Sequence, residues 1–173
     1  GRGYRKKSNA AWIEVVSKHA DTPFAQLVFD GMSPGVPDFN PSDYAAPMVA
    51  IDFALGFQDE LEPQTAVWVE DADGHFVRTI YASGFAGHVK EKQITLPRWA
   101  DVSGFVDAEA VTGASIDVGH HISVWDLKDS FGTTVPLGTY AVKVEVSYWP
   151  SMQYQLAEAI IQIRQKEQQT LVE

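Results

Sequence analysis

The run "TYAVKVEVSYW", residues 139–149, most narrows what this chain can fold into. Strict alternation places Tyr140, Val142, Val144, Val146 and Tyr148 on one face, with Lys143 and Glu145 on the other. β-Branched and aromatic residues at this period make a strand with one apolar face, and such a face must be covered by a second layer. A second run, "TAVWVEDADGHFVRTIY", gives the matching hairpin. Val67 and Val69 precede Asp73-Gly74, Phe76, Val77 and Ile80 follow it, and Trp68 falls on the opposite face from the two valines. Gly74 supplies the positive φ that a tight turn needs.

Other segments extend the theme. "PMVAIDFALGF" (47–57) is a β-rich apolar run, and "ISVWD" (122–126) is a strand followed by the turn-rich "LKDSFGTTVPLG". The stretch from Met32 to Ala46, with Pro34, Pro37, Pro41 and then Pro47, reads as a loop. The region from Ala82 to about Gly119 reads as irregular; within it "KEKQITLPRWADVSGF" is expected to be a loop that docks Trp99 on the core. "QYQLAEAIIQIRQKEQQ" fits a helical stripe through Leu156, Ile160 and Ile161, or a strand through Ala157, Ala159, Ile161 and Ile163. A sandwich needs a closing strand after "YWPSMQ", which favours the strand. "AAWIEVVSKHA" carries the same ambiguity. The expected fold is all-β: an antiparallel, immunoglobulin-like β-sandwich with long loops and an N-terminal extension. Residues 1–10 form a basic disordered or linker head, and 11–173 a single sandwich domain.

Charge narrows the partners. Arg2, Arg5, Lys6 and Lys7 lie in the first seven positions; the remainder holds nine basic residues against 23 acidic, a balance of −14. Such a body repels phosphate backbones, so nucleic acid is not an expected partner. With no cysteine, disulfides, thiolate metal sites and a cysteine nucleophile are excluded. No apolar run reaches the ~18 residues of a spanning helix. The opening "GRGYRKKSNAAW" has no initiator Met, as in a processed or truncated product.

Taken in order, "AVWVEDADGHFVRTIY", "LPRW", "EAVTGAS", "SVWDLKDSFGTTVPLGTYAVKVEVS" and "YWPSMQYQ" resemble the domain-of-unknown-function 2271 family of predicted periplasmic proteins, from about Met48 to Ile163. The second half is also similar to the immunoglobulin-like domain of flagellar hook-capping proteins. There a strand ends Trp-Asp-Gly, and Pro-x-Gly-x-Tyr opens the next. Here the residues are Trp125-Asp126-Leu127 and Pro136-Leu137-Gly138-Thr139-Tyr140, with Leu127 in place of the usual Gly. The resemblance implies a periplasmic or otherwise extracytoplasmic location and a redox neighbourhood. It assigns no activity.

The chemistry-bearing candidates each have two readings. "EAVTGAS" resembles the motif at which FMN is attached through a phosphoester. Ser115 would be the acceptor, Gly113-Ala114 the small turn, Thr112 the preceding hydroxyl, and Glu109 the acid where the pattern has Asp. Read structurally, it is a Gly turn whose Thr112 and Ser115 bond their own backbone. His120-His121 sit on opposite faces of a strand, so they do not share a metal; each could bind one alone with a carboxylate such as Asp117, and the favoured reading is surface histidines at a strand start. "DADGH" has the start of a calcium loop but sits inside a hairpin, which favours a turn. No Gly-x-Ser-x-Gly elbow or paired catalytic carboxylates are visible. Trp125 is expected in the core. Tyr148-Trp149-Pro150 places an aromatic at a strand end, where sandwiches bind partners, though packing on the core is the favoured reading. The expected function is therefore a non-enzymatic extracytoplasmic accessory domain. Its partner would be a protein in the periplasm or at the membrane surface, possible membership of an electron-transfer assembly included. No resident cofactor and no metal are expected. The alternative is a carrier of covalent FMN on Ser115.

Overall fold

In a computed structural model, the residues described are 39–55, 63–83, 95–106, 112–113, 116, 119–148 and 153–165. Six strands of seven or more residues and one two-residue strand form two sheets. They are β1 (Val49–Leu55), β2 (Gln64–Asp71), β3 (Phe76–Ser83), β4 (Thr112–Gly113), β5 (Gly119–Trp125), β6 (Gly138–Ser147) and β7 (Tyr154–Ile163). One sheet pairs β1 with β5; the other runs β4-β3-β2-β6-β7. All pairs are antiparallel except the short β3–β4 contact. The all-β sandwich expected from the alternating runs is the fold, and the ambiguous C-terminal segment is a strand.

The inner faces meet in one core. Val67 and Val69 of β2 lie opposite Val144 and Val142 of β6, and they pack with Ile51, Trp125, Leu127, Tyr140 and Ile161. Trp125 is fully buried, with its indole N–H donating to the Lys128 carbonyl at 2.8 Å and its ring edge-on to Tyr140.

The outer face of the five-stranded sheet departs from expectation. Alternation places Lys143 and Glu145 away from the core, yet both are buried, Glu145 completely. The cover is "LPRW", which is a helix rather than a loop: α1, Pro97–Ser103. Pro97 opens it, where its missing N–H costs nothing, and Gly104 closes it in the left-handed conformation (φ 53°). Seven residues give only two turns, too few for a helical period to show in sequence. Trp99 docks as expected. It is fully buried with Ala66, Trp68, Ala82 and Leu96 in a second core, and its indole N–H donates to the Thr79 hydroxyl at 2.9 Å. Burying a Trp contributes about 4 kcal/mol by area. The half-exposed Arg98–Glu70 pair at 3.6 Å contributes ~0–1 kcal/mol at best. Trp99 is thus the anchor of α1. The proline-rich segment also holds a short element, a 3-10 turn at Pro41–Asp43 capped by Asn40, whose side-chain oxygen accepts from the Ser42 N–H.

Candidate functional site

One end of the sandwich brings together Leu55, Ile116, Val146 and Tyr148. Register places the end of β1 (Leu55) beside the start of β5 (Gly119), and the end of β6 (Ser147) beside the starts of β2 (Gln64) and β7 (Tyr154). The end of β3 joins them, since Ala82 pairs with Ala66. Leu55, Val146 and Tyr148 pack together there, with Ile116 against them.

Of the "EAVTGAS" segment, Thr112 and Gly113 are among the described residues. Thr112 and Gly113 form β4, pairing with Ala82 and Ser83 at the margin of the five-stranded sheet. A Cβ on Gly113 would lie 3.2 Å from the Tyr81 ring, so close packing favours glycine here. Ile116 touches the Leu55–Val146–Tyr148 cluster. The two residues between, Ala114 and Ser115, lie outside the described residues, as does Glu109.

The histidines separate as the strand period requires. His121 faces inward, its ring 5.7 Å from Phe53. His120 faces outward, its Nδ1 3.7 Å from an Asp52 carboxylate oxygen, too long for a hydrogen bond. The carboxylate beside His120 is Asp52 of the neighbouring strand; Asp117 lies outside the described residues, as do Trp149 and Pro150.

"DADGH" is a turn built around Asp71. One Asp71 oxygen accepts from the Asp73 and His75 amides, both at 2.9 Å, and the other contacts His75 Nδ1 at 3.2 Å. Partial burial pushes the Asp71 carboxyl up, but the His75 and Asp73 hydrogen bonds outweigh it and hold it below its ordinary value. Ligand atoms of Asp71, Asp73 and His75 lie within 4.8 Å of one another. Each Asp71 oxygen is already engaged by the turn, which accounts for the cluster without an ion.

The second feature was not singled out in sequence: the free edge of β7. It has no neighbour beyond it among the described residues. Its outward residues include Tyr154, Leu156 and Ile160, the last 62% exposed. On the inner side, the two-stranded sheet is too narrow to cover all five strands. A cleft of about 210 Å³ opens between β1 and β7, floored by Val142, Val144 and Val146 and flanked by Phe53, Ala157 and Ala159. The signal lay in "YQLAEAIIQI", which has no proline or lysine of the kind that guards an edge strand.

No helix among the described residues is long and apolar enough to cross a membrane. No curated protein and no solved structure matches the chain. One family model does match, over residues 39–173, which takes in every described strand, α1 and the whole "EAVTGAS" segment. The chain thus belongs to a family of predicted periplasmic proteins, domain of unknown function 2271.

Proposed function

We propose that this periplasmic chain is a non-enzymatic accessory domain, a subunit of a redox or electron-transfer assembly, which docks a protein partner on the edge of β7. The observation that carries the docking is the ten-residue edge strand, with Tyr154, Leu156 and Ile160 exposed on its outer face and an apolar cleft on its inner face. An extended segment of a partner adds to such an edge through main-chain hydrogen bonds, while alternate side chains enter the cleft. The test is affinity purification from the native periplasm with wild type, Ile160→Lys and Phe131→Lys, the last a control on an exposed residue of another loop. A partner lost only with Ile160→Lys supports docking at β7. A partner retained by all three, or lost with both variants, refutes it.

A second reading makes the domain a flavin carrier, with FMN on Ser115. What favours it is the setting of its described neighbours: Gly113 pairs with Ser83 at the sheet margin, and Ile116 packs against Leu55, Val146 and Tyr148. Glu109 in the place of Asp is the departure from the attachment pattern. Co-expression with a flavin transferase should give a yellow protein whose mass rises by one FMN on the Ser115 peptide, lost in Ser115→Ala. An unmodified mass would end this reading. The finer likeness to the hook-capping immunoglobulin-like domain rests on the β5–β6 connection, where Leu127 adopts φ 57° and the Tyr140 hydroxyl donates to the Pro136 carbonyl at 2.7 Å.

A further inference from the structure

Ladder geometry fixes which groups of β7 face outward. The Tyr148 N–H donates to the Gln153 carbonyl at 2.9 Å, and β6 and β7 hold that register from Ser147–Tyr154 to Gly138–Ile163. Bonded pairs in an antiparallel ladder recur at every second residue, so Gln155, Ala157, Ala159 and Ile161 direct their backbone groups to β6. The amides and carbonyls of Tyr154, Leu156, Glu158, Ile160 and Gln162 point the other way, where no strand lies among the described residues. Glu158 sits between the exposed Leu156 and Ile160, held by Lys143 at 3.1 Å. Tyr154 is fixed from within the domain: its phenol bonds to Glu145 of β6, whose oxygens also accept the Arg98 and Trp99 N–H groups of α1 at 2.9 and 2.7 Å. Arg164 follows the strand, exposed, with its guanidinium on the Gln162 side chain at 3.2 Å.

We propose that the occupant of this edge is a second copy of the chain, with β7 pairing antiparallel to the partner's β7 about a two-fold axis at Ala159; this rests on the reading of β7 as a docking edge and says what docks there. A two-fold axis normal to the sheet keeps outer face beside outer face and brings the free backbone groups of the two edges together. An axis at Glu158 sets two carboxylates directly opposite one another, which destabilises a strand pair. At Ala159, Glu158 lies opposite the partner's Ile160, and Leu156 and Ile160 of the two copies meet diagonally across the axis. This axis also pairs the whole edge from Tyr154 to Arg164, and sets the fixed Tyr154 ring opposite the partner's Arg164, a cation–π arrangement. Ten-residue edges paired along their length bury on the order of 1,000 Å² in total, the low end for specific association, so the dimer is a micromolar one.

At the axis, Ala159 faces its counterpart in a non-bonded pair, where Cα atoms lie about 4.5 Å apart and a disulfide fits. The chain has no cysteine, so single-cysteine variants report the register directly. The test is sedimentation velocity from about 1 to 200 µM, in about 0.15 M salt to screen the net charge of −10 on each copy, with mild oxidation of the cysteine variants alongside. The wild type should pass from monomer to dimer across that range, and Phe131→Lys should follow it. Ile160→Lys, which sets two cations beside the axis, should weaken the dimer by about tenfold or more. Ala159→Cys should cross-link; Ala157→Cys, whose two copies lie about 13 Å apart along the strands, should not. A wild type that stays monomeric, an Ile160→Lys protein that dimerises as well as wild type, or cross-linking at Ala157→Cys as ready as at Ala159→Cys overturns the proposal. A monomer removes the second copy alone: docking of another protein on β7 is read separately, from its loss with Ile160→Lys in the affinity purification.

Discussion

Leu127 pairs two opposed demands, and their sizes can be separated. Its φ of 57° is a conformation that costs a side-chain-bearing residue about 1–2 kcal/mol. Its side chain nevertheless fills the main core beside Trp125, Tyr140 and Ile161. The corner is fixed on both sides: the Val135 N–H donates to the Leu127 carbonyl at 2.9 Å, and Asp126 turns outward to Arg78 at 2.8 Å. Leu127→Ala removes the buried side chain and keeps the strain, so it should cost about 3 kcal/mol. Leu127→Gly removes the same side chain but releases the strain. At a position with φ above zero, glycine outperforms alanine by about 1 kcal/mol, even after its larger unfolded-state entropy. The ranking should therefore be wild type, then Leu127→Gly, then Leu127→Ala, the reverse of the usual order for the two small residues. Urea unfolding with a shared slope of ~2 kcal/mol/M would place the two variants about 0.5 M apart in midpoint. Alanine equal to or above glycine would refute the argument that backbone strain at this corner is real.

Four further changes probe separate parts of the frame. Tyr140→Phe deletes the 2.7 Å bond to the Pro136 carbonyl but keeps the ring against Trp125, so urea midpoints should report a loss of about 1 kcal/mol. Gly132→Ala meets no atom within 4 Å, and any loss, about 1 kcal/mol, would come from φ 79° alone. Gly113→Ala should cost about as much by pressing on the Tyr81 ring, and a double substitution with Tyr81→Ala should recover part of that loss. Lys143 should show in alkali: burial pulls its amine down, but the bonds and charges of Glu70 and Glu158 outweigh that and raise it. A raised value means its contribution is complete below the ordinary value of 10.5 and is lost as pH climbs through the folded one, so thermal midpoints should drop as pH rises above 10.5, and less so in Lys143→Met.

The parts of the fold legible in sequence are those fixed by the strand period. Alternation from Tyr140 to Tyr148 and the Asp73-Gly74 turn each have one low-energy solution, and both elements are where the pattern puts them. Trp68 on the face opposite Val67 and Val69 follows from the same period. Alternation fails on what lies outside a strand. It marks Lys143 and Glu145 as polar and hence solvated, because it does not know that a two-turn helix from residues 97–103 will lie over them. The signature of α1 is a proline, a glycine and a carboxylate from β6, 46 residues beyond Trp99. A cap that distant leaves no local trace.

The candidate sites divide in the same way. "DADGH" was readable because every contact that defines it lies within four residues of Asp71. The separation of His120 from His121 was readable from strand geometry alone, whereas the Asp52 partner of His120 required the β1–β5 register. The β7 edge was missed for a different reason. Whether Leu156 and Ile160 are core or surface depends on which strand ends the sheet, and a sequence of alternating residues says nothing about order. Tyr154 then ties the two features together, since it belongs to the exposed edge and also bonds to the carboxylate that holds α1. A partner strand on β7 would exclude water from that hydroxyl and strengthen its bond to Glu145.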